Sequence, residues 1–308
     1  MRIAVVGVGH LGRHHARILS TLSGVELVGV ADINAARAAE IAAAYATQPF
    51  DDWRVLLDCV DAVTIATPTA SHLEIAEAFL DRRVHVLVEK PMTPTTAEAD
   101  RLLMRARDRG VQLAVGHTER FNPAVTAVKP LIHQPRFIEV HRLGTFPERS
   151  LDIDVVFDLM IHDLDLVLDI VGGEVTGIEA VGVPVLTPRV DIANVRLRFA
   201  NGCIANLTAS RISRDRVRKI RFFQRDAYVS IDYAAQEAEV WRLVPKPGAM
   251  PAIEGGKLDV TREEPLKREL EDFLDAVRVG RAPVVTGDQG RAALALAERV
   301  VERMEMTT

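Results

Sequence analysis

Residues 1–32, MRIAVVGVGHLGRHHARILSTLSGVELVGVAD, pass from an apolar strand straight into Gly7-x-Gly9-x-x-Gly12, then into a helix, a second strand at 26–31 and an acid, Asp32. That order fits a βαβ unit at the start of a doubly wound parallel sheet built to hold a dinucleotide. Gly7 permits the sharp turn out of the strand, Gly9 lets the backbone approach a pyrophosphate with no Cβ in the way, and Gly12 lets the helix pack tightly on the sheet. His10 and Leu11 lie in the same loop and are read with it as cofactor contacts. The pyrophosphate then rests on the helix N-terminus, where unpaired N–H groups and the helix dipole favour an anion. Asp32, about twenty residues on, accepts from the ribose hydroxyls and repels a 2′-phosphate, so NAD is expected rather than NADP. Arg37, five residues on, is a cation that could reach such a phosphate. A bare glycine triad occurs in many loops; here the strand before, the helix after and the acid single this one out against a plain βαβ turn.

A chain of 308 residues exceeds what one hydrophobic core usually serves, and two domains are expected, 1–120 for the cofactor and 121–308 for substrate and oligomerisation. The formal charge of −5 argues against nucleic acid as a partner. The absence of an apolar run of membrane-spanning length, and of a cleavable leader, points to a cytoplasmic protein with no membrane partner. Cys59 and Cys203 lie in apolar surroundings without ligand spacing, so both are read as reduced core residues and no metal site is expected.

The βα alternation continues to about residue 120, with strands at 61–66, 84–88 and 111–115 and helices at 71–81 and 95–109. Asn122-Pro123 opens a helix to about 133. Short strands then dominate, at 136–143, 192–199, 204–211, 219–223 and 240–243, with Asn201-Gly202 as a hairpin turn. They predict a large, mostly antiparallel sheet with one open face. An apolar helix over 153–171 interrupts it, helices at 266–279 and 289–304 close the chain, and 246–256 reads as a mobile loop.

Two clusters carry chemistry. Glu89-Lys90-Pro91 follows a strand of the first domain, so Lys90 is delivered to the strand-end edge that also carries the glycine loop. Proline stiffens that turn and can adopt the cis form. On the apolar helix, Asp158, His162, Asp165 and Asp169 follow each other at i, i+4, i+7 and i+11, one helical stripe. Buried carboxylates are costly unless paired or useful, and a histidine between acids is suited to general-base work. The plainer reading is a partly wet face with a satisfied core histidine, and beside a dinucleotide fold the functional one is preferred.

Together, Gly7-x-Gly9-x-x-Gly12 with Asp32, Ala66-Thr67-Pro68 followed by His72, Glu89-Lys90-Pro91, and Asp158-x-x-x-His162-x-x-Asp165 resemble the glucose-fructose oxidoreductase/inositol dehydrogenase (Gfo/Idh/MocA) family over nearly the whole chain. The resemblance implies a Rossmann domain followed by an α/β domain whose open sheet makes a homodimer or homotetramer. It implies a sugar dehydrogenase in which Lys90 and His162 flank the reacting carbinol, Asp158 supports His162, and Thr67, Pro68, His72 and Glu89 line the cofactor. The family's glycine-rich lead into the Asp…His helix is replaced here by residues 150–155 and by Met160.

Residues 116–123 (GHTERFNP) and 157–165 (FDLMIHDLD) are similar to a narrower group, the UDP-N-acetylglucosamine 3-dehydrogenases, which make a 3-keto nucleotide sugar for lipid A synthesis. His117, Arg120, Asn122 and Asp165 are then expected at the substrate. Arg211, Arg214, Arg216, Arg218, Lys219 and Arg221 crowd one segment, and arginines suit a diphosphate; Arg211, ending an apolar alternation, is favoured for the pocket. A solvated strand edge accounts for most of that run equally well. A dehydrogenase of a free polyol or inositol is the alternative, and a noncatalytic NAD-binding regulator the alternative of another class; the regulator predicts a missing lysine or histidine, and both are present.

Overall fold

The computed structural model describes residues 1–146, 153–246 and 250–306. They form two compact units, Met1–Thr118 with Leu266–Leu294, and Glu119–Pro265 with Ala295–Thr308.

In the first unit β1 (Arg2–Val6), α1 (Gly12–Leu19), β2 (Glu26–Ala31), α2 (Ala35–Ala44), β3 (Gln48–Phe50), β4 (Ala62–Ile65), α3 (His72–Asp81), β5 (His85–Glu89), α4 (Thr96–Arg109) and β6 (Leu113–Gly116) follow in sequence. The strands pair in parallel in the order β3-β2-β1-β4-β5-β6, the Rossmann order, which reverses direction between β1 and β4. The inner strands are mostly apolar because helices cover both faces. Local chemistry sets the helix ends: Thr95 and Glu98 form a capping box at the start of α4, and Gly110, at φ +68°, closes it.

A single cut at residue 120 misses one feature of this unit. The helix Pro265–Val279 and the start of the helix Gly287–Glu302 return to it. Leu270, Phe273 and Leu274 enter one buried cluster with Ile3, Val5, Ile18, Leu19 and Val30. Gly290 allows the later helix its close approach to β6, since a Cβ there would lie 2.4 Å from Val115 Cγ2.

The second unit contains α5 (Pro123–Val128), β7 (Phe137–Leu143), α6 (Ile161–Val171), β8 (Val175–Val183), β9 (Ile192–Phe199), β10 (Ile204–Ser210), β11 (Val217–Phe223), β12 (Ala227–Asp232), β13 (Glu237–Val244), β14 (Ala252–Lys257) and β15 (Met304–Met306). Among the described residues these strands make one sheet in the order β14-β13-β12-β11-β7-β10-β9-β8-β15. Pairing is antiparallel except between β7 and β10 and between β8 and β15. One face is apolar and buried, with Ile138, Val140, Val195, Leu197, Leu207, Ile220 and Phe222; the other is largely polar.

Several local expectations change. The helix expected over 153–171 opens with a π turn, Val156–Met160, before α6. Pro130, with no N–H to donate, ends the helix after Asn122 as a short 3-10 turn, Lys129–Leu131. In the presumed mobile stretch 246–256, β14 pairs along β13 as an edge strand, while 247–249 lie outside the described residues, as do 150–152 of the altered lead. Cys59 is exposed rather than in the core, because its helical turn faces outward; Cys203 is buried.

Candidate active-site residues

In the first unit the three glycines show distinct steric demands. Gly7 takes φ +84°, and a Cβ on it would stand 2.7 Å from Thr67 Cγ2 and 2.8 Å from the Ala66 carbonyl. A Cβ on Gly12 would fall 1.7 Å from the Gly7 oxygen, so α1 rests directly on the turn. At Gly9 nothing lies within 4 Å of that position: the bare backbone faces open space, beside exposed His10 and Leu11. This loop fits a dinucleotide pyrophosphate. Asp32 Oδ2 accepts from the Val8 N–H at 2.9 Å and Oδ1 from the Asn34 N–H at 2.9 Å, so the carboxylate is locked onto the glycine loop with lone pairs left for hydroxyl donors. Arg37 lies at the same loop, donating to the Val8 carbonyl at 3.0 Å and to Glu40 at 2.6 Å.

At the ends of β4 and β5, Thr67 Oγ1 accepts from the Ser71 hydroxyl at 2.8 Å. His72, only 1% exposed, does not reach outward to line a cofactor; its ring nitrogens face the Pro91 and Thr67 carbonyls. Burial pushes its pKa down, against those two carbonyls and Glu89. The Lys90–Pro91 peptide is cis. Glu89 likewise points inward: Oε1 lies 3.1 Å from His15 Nε2, and Oε2 accepts from the Lys90 N–H at 3.3 Å. Burial alone would raise this carboxyl, but the His15 hydrogen bond and the charges of His15 and Lys90 outweigh it and hold it below the usual range. Gly116 makes the room, since a Cβ there would sit 2.9 Å from the Glu89 carboxyl. Glu89 thus holds the main chain at the half-buried Lys90. The role of His15 escaped sequence reasoning, its one trace being a histidine on the inward face of α1. His117 is buried at the end of β6.

In the second unit the acidic stripe divides. Asp165 takes Arg120 in a bidentate pair, Nε to Oδ2 at 2.6 Å and Nη2 to Oδ1 at 3.0 Å. Asp169 takes Arg120 Nη1 and Lys129 Nζ, each at 2.5 Å. Arg120 and Asp165, both expected at the substrate, are instead buried against each other. Asn122 is also structural: Oδ1 caps α5 through the Ala124 N–H at 3.1 Å, and Nδ2 donates to the Tyr233 carbonyl at 3.1 Å. Asp158, in the π turn, and His162 remain half-buried. A π turn widens the helical step, so the two do not follow the 3.6-residue stripe, and such turns recur at functional sites.

A second buried network went unread. Arg142 on β7 donates to Asp163 at 2.6 and 2.9 Å and to Glu119 at 3.0 Å, with the Tyr233 ring 5.3 Å from its guanidinium carbon. Burial raises the Asp163 carboxyl, and burial with Asp163 beside it pushes the Tyr233 phenol well up. Asp163 sits off the stripe that drew attention to the helix. Arg211, expected at the substrate, is 1% exposed. It donates to Asp191 at 2.8 Å, the Ile153 carbonyl at 2.7 Å and Thr187 Oγ1 at 3.0 Å. Asp191 carries several backbone N–H groups as well, which hold its carboxyl far below the usual range despite burial. That arrangement ties the β9 entry to the β10 exit and leaves no guanidinium edge for a phosphate.

Among the described residues no group of histidine, cysteine and carboxylate side chains could hold a metal, and no helix is long and apolar enough to cross a membrane.

A model of the oxidoreductase family with an NAD-binding Rossmann fold matches residues 1–117, and the GFO/IDH/MocA C-terminal domain model matches 132–229. UDP-N-acetylglucosamine 3-dehydrogenase of Acidithiobacillus ferrooxidans is 42% identical over 304 residues, covering 97% of this chain and 96% of that protein. Its solved structure superposes with a TM-score of 0.92 over 99% of this chain and 97% of its own, at 40% identity. The NAD(+)-dependent scyllo-inositol 2-dehydrogenase of Bacillus subtilis is 26% identical, over 93% of this chain and 89% of that protein. Levoglucosan dehydrogenase in complex with NADH and levoglucosan, 19% identical with a TM-score of 0.88 over 98% and 96% of the two chains, shares the fold.

Proposed function

Since this chain belongs to the Gfo/Idh/MocA family of NAD-binding oxidoreductases, we propose that it oxidises the 3-hydroxyl of UDP-N-acetylglucosamine to the 3-keto sugar. The observation that carries the substrate is likeness, over nearly the full length of both chains, to the Acidithiobacillus 3-dehydrogenase rather than to the more distant inositol enzymes. Bound NAD supplies the hydride acceptor at C4 of its nicotinamide. The protein's own share is position and protons. The loop at Gly7, Gly9 and Gly12 with Asp32 holds the dinucleotide. His162 accepts the hydroxyl proton, with Asp158 supporting its charged form. Lys90, anchored through Glu89 and His15, stabilises the developing alkoxide. The joint action of Lys90 and His162 rests on the family resemblance of Glu89-Lys90-Pro91 and Asp158-x-x-x-His162.

A homodimer or homotetramer through the open sheet face is part of the same reading. That face carries an aromatic row, Phe137 to Phe223 at 5.5 Å and Phe223 to Tyr228 at 5.3 Å, with Tyr228 opposite Trp241. Trp241 is 40% exposed, and Leu243 and Ile253, paired beside it, are 53% and 73% exposed, an apolar patch of the kind that marks interfaces. A cytoplasmic location accords with a nucleotide-sugar substrate. The test is NADH formation with UDP-N-acetylglucosamine, other UDP-sugars, myo-inositol and glucose in parallel. Reduction of NAD by the UDP-sugar and by neither polyol nor glucose is expected; the reverse pattern overturns the substrate.

A further inference from the structure

The basic run from Arg211 to Arg221 is not one surface, because the sheet sorts it. Arg211 is buried on Asp191. Lys219 and Arg221 face the open side, opposite His141 and Glu139 on β7, and pair with Asp232 at 3.4 Å and Glu139 at 2.7 Å. Arg218 stands on the other face, in line with buried Ile220 and Phe222. Directly opposite it on β7 is Arg142.

Like charges facing each other across adjacent strands destabilise a sheet. Arg142 is paired directly with Asp163 and Glu119. The Arg218 guanidinium has no hydrogen bond or ion pair among the described residues, and it is open to solvent. Arg216, bonded among the described residues to the Thr145 hydroxyl at 3.3 Å, adds another positive charge beside it. Partial burial and the charge of Arg142 push the Arg218 pKa down, with Arg216 acting the same way, although Glu119 and Asp163 oppose them. A guanidinium does not shed its proton under such pressure; with Arg142, Arg216 and Arg218 set against only Asp163 and Glu119, the cluster keeps an excess positive charge that an anion from outside would meet. Asp163, which fixes Arg142, is the next residue after His162 on α6, which sets Arg218 on the same side of the sheet as the proposed base.

We propose that Arg218, with Arg216 beside it, holds the diphosphate of the nucleotide-linked substrate. This rests on the substrate reading above and relocates the phosphate contact from Arg211. Arginine suits the task because its planar fork grips two oxygens at once, which lysine cannot match.

The test is UDP binding by calorimetry to enzyme saturated with NAD, so that the dinucleotide site is closed to the probe. Arg218→Ala is expected to weaken UDP by about tenfold or more, and Arg218→Lys to recover part of the loss. Arg214→Ala removes an equal charge from the preceding turn and is expected to change UDP affinity by less than roughly twofold, as screening of exposed charges implies. Melting temperatures confirm that the variants fold. Equal UDP affinity in Arg218→Ala, an equal loss in Arg214→Ala, or no UDP binding by the unsubstituted enzyme each overturns the site. Arg218-dependent UDP binding without turnover of UDP-N-acetylglucosamine defeats the substrate reading alone, whereas turnover with an unchanged KM in Arg218→Ala defeats the site alone.

Discussion

His72 bridges two main-chain carbonyls, Nδ1 lying 3.0 Å from the Pro91 oxygen and Nε2 2.9 Å from the Thr67 oxygen, so one ring ties the end of β4 to the turn that carries Lys90. A neutral imidazole donates from only one nitrogen, and protonation would fill both bonds at the cost of a buried charge. Burial wins, and the folded-state pKa is lowered. The native state therefore binds fewer protons than the unfolded chain, and this contribution to stability is complete above the unfolded value near ~6.5 and declines as pH falls toward the folded value. Urea midpoints of the unsubstituted protein should fall below about pH 6.5, and His72→Gln should flatten that slope. His85, lowered mainly by burial, contributes with the same sign, so the slope should not vanish. A slope unchanged in His72→Gln would remove His72 from the account.

The Arg142–Asp163 and Arg120–Asp165 pairs should behave as framework. Arg142→Ala leaves Asp163 buried without its cation, a loss of about 3–5 kcal/mol in denaturant titration. Removing both charges, as in Arg142→Met with Asp163→Leu, should recover much of it. If Arg142→Ala alters KM at unchanged stability, the pair belongs to the substrate instead.

Cofactor choice follows from Asp32 and Arg37. Asp32 and Arg37 both bond Val8, and Arg37 is further engaged by Glu40, so the carboxylate of Asp32 stands against a 2′-phosphate while the nearby cation is already paired. The protein should bind NAD well ahead of NADP, and Asp32→Ser should weaken NAD and admit NADP. Equal dissociation constants for the two in the unsubstituted protein would refute this.

For the reacting groups, Lys90→Ala and His162→Ala should each leave NAD affinity nearly intact and lower turnover roughly a hundredfold or more. Glu89→Gln should act more mildly and through Lys90, changing the pH profile of kcat. Near-normal turnover of His162→Ala across the pH range would take histidine out of the mechanism.

The cysteines give a simple check on the fold. Burial pushes the Cys203 thiol up to about 11, while Cys59 is exposed. Thiol reagents at mild pH should label one cysteine per native chain, Cys59, and a second only after denaturation. Fast native labelling of Cys203 contradicts the packing of β10.

What was legible in the chain was local. Gly7, Gly9, Gly12 and Asp32 declare themselves because their spacing is imposed by one turn and one ligand, and the hairpin at Asn201-Gly202 follows from a glycine at φ +84°. The acidic stripe was visible too, but its meaning lay elsewhere: Asp165 and Asp169 are met by Arg120 and Lys129 from α5 and the segments around it, and helical period says which side chains share a face, not what stands opposite. Arg211 misled for the same reason, since its burial is decided by Asp191. The basic run gained meaning only when strand register put Arg218 and Arg221 on opposite faces.

The return of Leu270, Phe273 and Leu274 to the cluster around Ile3 and Val5 also bears on how the chain is made. Synthesis proceeds from the amino terminus, and a domain translated first usually folds first. Here the nucleotide-binding unit is begun first and sealed last: residues 119–265 must leave the ribosome before the helix that covers β1 exists. A nascent chain therefore carries an open apolar seam through most of its elongation, a natural station for chaperones, and any message truncated before Pro265 yields a protein that can never close it.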